Sequence, residues 1–227
     1  HINCSTKQIY FKVKKFNLPL KYDLSKVESG MLALEIDSIE VNQFESSICT
    51  QFEPLAYGKE FKLTSELAND LPKFIQTDRM RTLQILKNLM SNAFKFTYQG
   101  RVTLRIFVPE KEVVFKQKHL NSQNCIGFSV IDTGVGIKED KQSLIFEAFQ
   151  QADGSTSREF GGTGLGLTIS RELCRLLGGE LQIESEYNKG STFTVYLPLL
   201  NHGEYGKRSK SVENLGIVSS SAKILTS

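Results

Sequence analysis

The sequence has no run of about 18 uncharged apolar residues, the length a membrane-crossing helix needs, and its N-terminal part lacks the layout of a secretory signal. Nothing in it is expected to contact a membrane. Strong charge is missing as well: 28 basic residues against 25 acidic ones leave a net charge of +3. Apart from short runs such as "KVKK" and "KRSK" the basic residues are scattered, which argues against nucleic acid as a partner. Cys4, Cys49, Cys125 and Cys174 form no CxxC pair and have no neighbouring histidines, so a zinc site is excluded and reduced thiols are expected. Histidine is scarce: only His1, His119 and His202 occur.

What remains is globular in character, with 40% hydrophobic and 23% charged residues. The length suits one core of ordinary size with appendages. The chain opens on His rather than Met, and the expectation is a cytoplasmic fragment whose missing upstream sequence would hold any membrane anchor.

Periodicity orders the rest. Phe16, Leu20, Leu24 and Val27 recur at helical spacing before Gly30. A strand is read in "MLALEIDSIE", a helix in "VNQFESSICTQFEPLAYGK", and strands in "FKLTSEL" and "KFIQT". Asp78 is placed to cap a helix running from about Arg79 to Thr97. Strands "RVTLRIFV" and "CIGFSVID" flank the polar loop "PEKEVVFKQKHLNSQN". A helix around "KQSLIFEAF", a Gly-rich segment, a helix "GLTISRELCRLLG" and strands "ELQIESEY" and "STFTVYLPLL" follow. Strands with helices interspersed point to an α/β layer rather than a barrel or bundle. Residues 201–227 read as a polar linker or tail.

Four constellations carry chemistry. On the helix "QILKNLMSNAFKFT", a turn of about 100° per residue sets Gln84, Asn88, Asn92 and Lys95 on one stripe and Leu83, Leu86, Met90 and Ala93 opposite. Carboxamide oxygens suit a hydrated divalent cation such as phosphate-bound Mg²⁺, and a lysine one turn on suits phosphate oxygens. In "VIDTGVGIKED" an apolar strand ends in Asp132, an acceptor fit for an exocyclic amino group. Gly161, Gly162, Gly164 and Gly166 precede a helix, whose amides and dipole favour an anion. The stretch is neither a dinucleotide fingerprint nor a P-loop. "NKGSTF" reads as a hairpin turn. Taken singly, each is at least as readily a polar face or a turn.

In their order, the Asn-rich helix, DxGxGI, "IFEAF", "GGTGLGL" and "GST" resemble the N, G1, F, G2 and G3 boxes of sensor histidine kinases, over residues 74–198. The resemblance implies the α/β two-layer sandwich of the Bergerat ATP-binding fold, a mixed β-sheet covered by α-helices. "DLSKVESGMLALE" looks like the end of the second dimerisation helix and its exit strand. The expected division is a dimerisation remnant at 1–30, a catalytic domain at 31–200 and the tail at 201–227.

Carried over, Asn88 would coordinate Mg²⁺ on ATP, with Asn92 and Lys95 facing the phosphates. Asp132 would bind the adenine amino group, Gly134 and Gly136 would shape the base pocket, and Thr192 would support a water beside Asp132. "IFEAFQQADGSTSREFGGTG" would be a mobile lid from which Arg158 reaches the γ-phosphate, while Gly162, Thr163, Gly164, Leu165 and Gly166 close over the triphosphate. Hydrolytic relatives carry a glutamate where this chain has Gln84, which disfavours base-assisted hydrolysis. No histidine lies in an acceptor motif, so the expected reaction is transfer from ATP to a histidine supplied elsewhere, then to a response-regulator receiver. The alternatives are a catalytically silent nucleotide-binding or dimerisation module and, less favoured, an ATPase. The full-length protein is expected to be a homodimer. "SAKILTS" faintly resembles the first strand of a receiver.

Overall fold

The computed structural model describes residues 34–57, 61–146 and 166–199. Its elements are β1 Ile36–Glu40, α1 Val41–Ala56, β2 Phe61–Leu67, β3 Phe74–Asp78, α2 Arg79–Phe96, β4 Gly100–Phe107, β5 Cys125–Asp132, α3 Glu139–Gln142, a 3-10 turn Leu144–Phe146, α4 Gly166–Leu176, β6 Glu180–Glu186 and β7 Gly190–Pro198. The helix expected within 1–30 and the tail 201–227 lie outside the described residues.

Alternation builds the sheet. In β4, β5 and β7 the residues Val102, Leu104, Ile106, Ile126, Phe128, Val130, Phe193, Val195 and Leu197 take every second place and enter one core. The sheet is five-stranded in the order β2-β4-β5-β7-β6, with β2 parallel to β4 and every other neighbour antiparallel. It is therefore mixed, as expected. β1 and β3 form a separate antiparallel pair from Ile36↔Asp78 to Glu40↔Phe74.

The three long helices cover one face of the large sheet. α1 buries Val41, Phe44, Ile48, Phe52 and Leu55, three or four residues apart. Phe44 meets the Phe128 ring edge-on at 6.4 Å between centroids, and Phe52 lies 5.3 Å from Phe94 of α2. α4 packs along α2 and over β6 and β7, burying Ile169, Leu173 and Cys174. Hydroxyl pairs line the opposite face, Thr64 with Thr103 and Ser129 with Thr194, both at 2.7 Å. Cys49, Cys125 and Cys174 are free, and burial pushes the Cys125 thiol up to about 11.

Candidate functional site

The stripe read on α2 is present. Asp78 caps the helix by accepting from the Arg81 amide at 2.9 Å. Ile85, Leu86, Leu89, Met90, Ala93 and Phe94 are buried at its back, whereas Gln84, Asn88, Asn92 and Lys95 are half-buried. Leu83 is also half-buried, at the edge of the apolar face.

Contacts with α4 fix the Asn88 carboxamide. Its Nδ2 donates to Ser170 Oγ at 2.9 Å. Gly166, the first residue of α4, lies so close that a Cβ there would fall 2.5 Å from Asn88 Oδ1. With Nδ2 engaged, Oδ1 is the carboxamide atom left for a ligand. The Lys95 amine sits 4.7 Å over the Phe96 ring, and burial holds it below the usual lysine value. Directly after Phe96, the buried Thr97 hydroxyl has no hydrogen-bonding partner among the described residues.

The helix-side residues of β5 end in Asp132 at the same end of the fold. Its carboxylate accepts from the Gly134 amide at 2.8 Å and from the Ser191 amide. Burial raises the Asp132 pKa, while the two amides pull it back. The loop that follows is drawn against α2, with the Val135 amide donating to the Phe96 carbonyl at 3.3 Å. A side chain at Gly134 would strike that same carbonyl. Gly136 has φ +63, a left-handed conformation that glycine adopts without strain, and it abuts the Glu186 carbonyl on β6.

A carboxylate at the rim of an apolar sheet is suited to a base amino group, and the amide–amine stripe of α2 to phosphate oxygens. Among the described residues no group of three or more His, Cys, Asp or Glu side chains could hold a metal. The Asn88 Oδ1 oxygen is of the kind that a hydrated divalent cation takes as a ligand.

Comparison with known proteins agrees with this geometry. Residues 77–201 match the family of histidine kinase-, DNA gyrase B-, and HSP90-like ATPases. The chain belongs to this family. The circadian input-output histidine kinase CikA of Synechococcus elongatus is 37% identical over 195 residues, which is 85% of this chain and 24% of CikA. The signal transduction histidine-protein kinase BarA of Escherichia coli is 37% identical over 177 residues, 78% of this chain and 18% of BarA. The chain thus spans a quarter or less of the length of these relatives. The crystal structure of full-length ShkA in complex with AMPPNP superposes with a TM-score of 0.63 at 28% identity, over 80% of this chain and 35% of that one. The catalytic domain of histidine kinase ThkA, with a TM-score of 0.57 and 24% identity over 73% of this chain and 99% of that one, shares the fold. The fold is the Bergerat fold of histidine kinase catalytic domains.

In this family member the structure brings Asn88, Asn92, Lys95, Asp132, Gly134, Gly136 and Gly166 to one end of the sheet. Arg158, Gly162, Thr163, Gly164 and Leu165 lie outside the described residues, as does most of the expected lid. Thr192 needs a correction. It pairs with Ile131 and Glu184, and residues opposite each other across a ladder share a face, so its side chain stands on the side away from Asp132. Ser191, paired with Asp132, takes the place expected of Thr192, and its Oγ lies 3.0 Å from Ser185 Oγ. Counting back by two from the core residues Leu197, Val195 and Phe193 would have found it. Ser170 was also missed, because contacts between two helices leave no mark in local spacing.

His119 is exposed, and its Nε2 donates to the Gly178 carbonyl at 2.8 Å. Gln84 accepts from Arg81 Nη1 at 3.2 Å through an amide oxygen, and an amide provides no base for activating water. Among the described residues no helix is long and apolar enough to cross a membrane.

Proposed function

We propose that the chain is the ATP-binding catalytic domain of a two-component sensor histidine kinase, transferring the ATP γ-phosphate to a histidine supplied from outside this fragment. The observation that carries this reading is the loop after Asp132 drawn against the Phe96 carbonyl at the end of α2, the helix whose Asn88 abuts the first-turn glycine of α4. Asp132 accepts from the adenine amino group, and Gly134 and Gly136 keep the base pocket open. Asn88 Oδ1 would hold Mg²⁺, which would supply charge neutralisation at the phosphates, while Lys95 and Asn92 face phosphate oxygens. Arg158 and Gly162 to Gly166 enclose the triphosphate. Ser191 rather than Thr192 supports the polar contacts beside Asp132.

Transfer asks little covalent chemistry of the protein. The imidazole nitrogen forms its bond to the γ-phosphorus as the bridging P–O bond breaks and ADP leaves. The site's work is positioning and charge stabilisation. Gln84 in place of a glutamate supports transfer over hydrolysis. Residues 1–30 are then the remnant of the second dimerisation helix, 31–200 the catalytic domain, and 201–227 a polar linker or tail. The partners are a dimerisation and histidine-acceptor domain and a receiver domain, in a homodimeric full-length protein.

The test supplies a histidine-acceptor dimerisation domain in trans with γ-labelled ATP. Acid-labile, base-stable label on that domain is expected. Nucleotide binding without label transfer would establish the silent module instead, and release of inorganic phosphate at multiple turnovers without an acceptor would establish an ATPase.

A further inference from the structure

We infer that Ser170 is a positioning residue for the nucleotide-bound cation, acting through Asn88. The inference rests on the nucleotide reading above and extends it to a residue on a different helix. Three observations carry it.

Ser170 is 2% exposed, so its hydroxyl exchanges nothing with solvent and its bond to Asn88 Nδ2 at 2.9 Å is sheltered. The Asn88 carboxamide is otherwise half-buried on the open side of α2. An asparagine amide rotates broadly about its last torsion, and each half-turn exchanges an acceptor oxygen for a donor nitrogen. Only the oxygen serves a cation. Holding Nδ2 on Ser170 leaves Oδ1 as the free atom, at the start of α4 where Gly166 makes room for it.

α4 is in turn anchored in front of this bond. The Thr168 hydroxyl donates to the Phe146 carbonyl at 3.0 Å, and Ile169, Leu173 and Cys174 are buried in the core. The hydroxyl that orients the cation ligand therefore stands on a fixed helix that begins at Gly166. Groups that orient metal ligands are commonly worth 10- to 100-fold in metal affinity when removed. A single ligand sharing a cation with phosphates falls at the lower end.

The experiment measures ADP affinity of the intact chain with Mg²⁺ and with EDTA, for wild type, Ser170→Ala, Ser170→Thr, Asn88→Ala and the Ser170→Ala, Asn88→Ala pair. Ser170→Ala is expected to lose about 3- to 10-fold in the Mg²⁺-dependent gain in affinity, with affinity in EDTA unchanged. Ser170→Thr, which keeps the hydroxyl, should restore the gain, and Ser170→Ala should have no further effect once Asn88 is alanine. A purely structural role for Ser170 predicts equal losses with and without Mg²⁺, and that result overturns the inference while leaving the proposed function standing. Unchanged Mg²⁺ dependence in Ser170→Ala overturns it equally. A wild-type chain that binds ADP with no response to Mg²⁺ overturns both the cation reading and the role of Ser170.

Discussion

At the scale of single residues, the chemistry of the site turns on one buried carboxylate. Burial raises the Asp132 pKa, and the Gly134 and Ser191 amides only partly offset that. A group with a raised folded-state pKa holds its proton more tightly in the folded chain than in the unfolded one. Its favourable contribution to stability is complete below the ordinary aspartate range and is lost as pH rises through the raised value. At neutral pH the ionised carboxylate is thus a cost to folding, one that the proposed role of Asp132 in binding adenine would require. Asp132→Asn should leave the nucleotide-free protein at least as stable at pH 7 in a thermal melt, because the amide oxygen still accepts from the Gly134 amide. The same variant should lose most of its preference for adenine over guanine nucleotides, and an unchanged preference would remove Asp132 from the base pocket. Binding has the opposite pH dependence from folding. An ionised carboxylate is the stronger acceptor for the base amino group, so adenosine affinity should fall as pH drops through the raised Asp132 titration, by up to about tenfold per unit. Adenosine has no phosphate to titrate, and calorimetry from pH 7 downward should show the fall in wild type and a flat line in Asp132→Asn.

Among the elements, those with a strong period of their own were legible in the sequence, and those shaped by a partner were not. The apolar stripe read on α2 at Leu83, Leu86, Met90 and Ala93, and the apolar strands β5 and β7, are internal to each segment; the structure buries Leu86, Met90 and Ala93 and leaves Leu83 half-buried. β1 was read from Met31, and among the described residues the strand begins at Ile36, where its pairing with Asp78 of β3 starts. The helix read around "KQSLIFEAF" is instead the short α3 and a 3-10 turn within the described residues. There Gln142 Nε2 donates to the Ile137 and Ser185 carbonyls, and Phe146 accepts from Thr168, so long-range partners replace a helix's own ladder. The choice of Thr192 over Ser191 failed for the same reason: strand register is a property of pairs. Asp78 shows how much one such junction carries. It is 3% exposed, its Oδ1 caps α2, and its Oδ2 accepts from the Glu35 amide at 3.1 Å, tying the entry of β1 to the start of the site helix. Asp78→Ala removes both acceptors and should destabilise the fold by about 2 kcal/mol. Urea denaturation would measure this, and Asp78→Asn, which keeps one acceptor, should recover part of the loss.

On the scale of the whole molecule, the two faces of the sheet divide the labour. Helices and the residues proposed to face the nucleotide occupy one face and the end where β5 finishes. At the other end, residues 108–124 fold over the outer face between β4 and β5. Their polar composition hides three anchors, Val113, Phe115 and Leu120, which pack with Phe107, Cys125 and Tyr196 as a second small core. The Phe115 and Tyr196 rings meet edge-on at 5.0 Å. Glu180 holds this strap by its backbone: Oε2 accepts from the Lys116 and Gln117 amides at 2.8 and 2.9 Å, and Oε1 accepts from Gln182 Nε2 at 2.8 Å. Gln182 also donates to the Val114 carbonyl at 2.9 Å, so adjacent outer-face residues of β6 fasten the same segment. Glu180→Ala would leave two backbone amides without their acceptor, a loss of about 2 kcal/mol. The strap and Asp132 lie at opposite ends of β5 and on opposite faces, too far apart to share a partner, so effects at the two should add independently. Glu180→Ala is therefore expected to lower the urea midpoint and speed proteolytic cleavage between residues 108 and 124, with ADP affinity unchanged. A parallel loss of ADP affinity would mean that the outer face is coupled to the site through the sheet, and that the separation of faces does not hold.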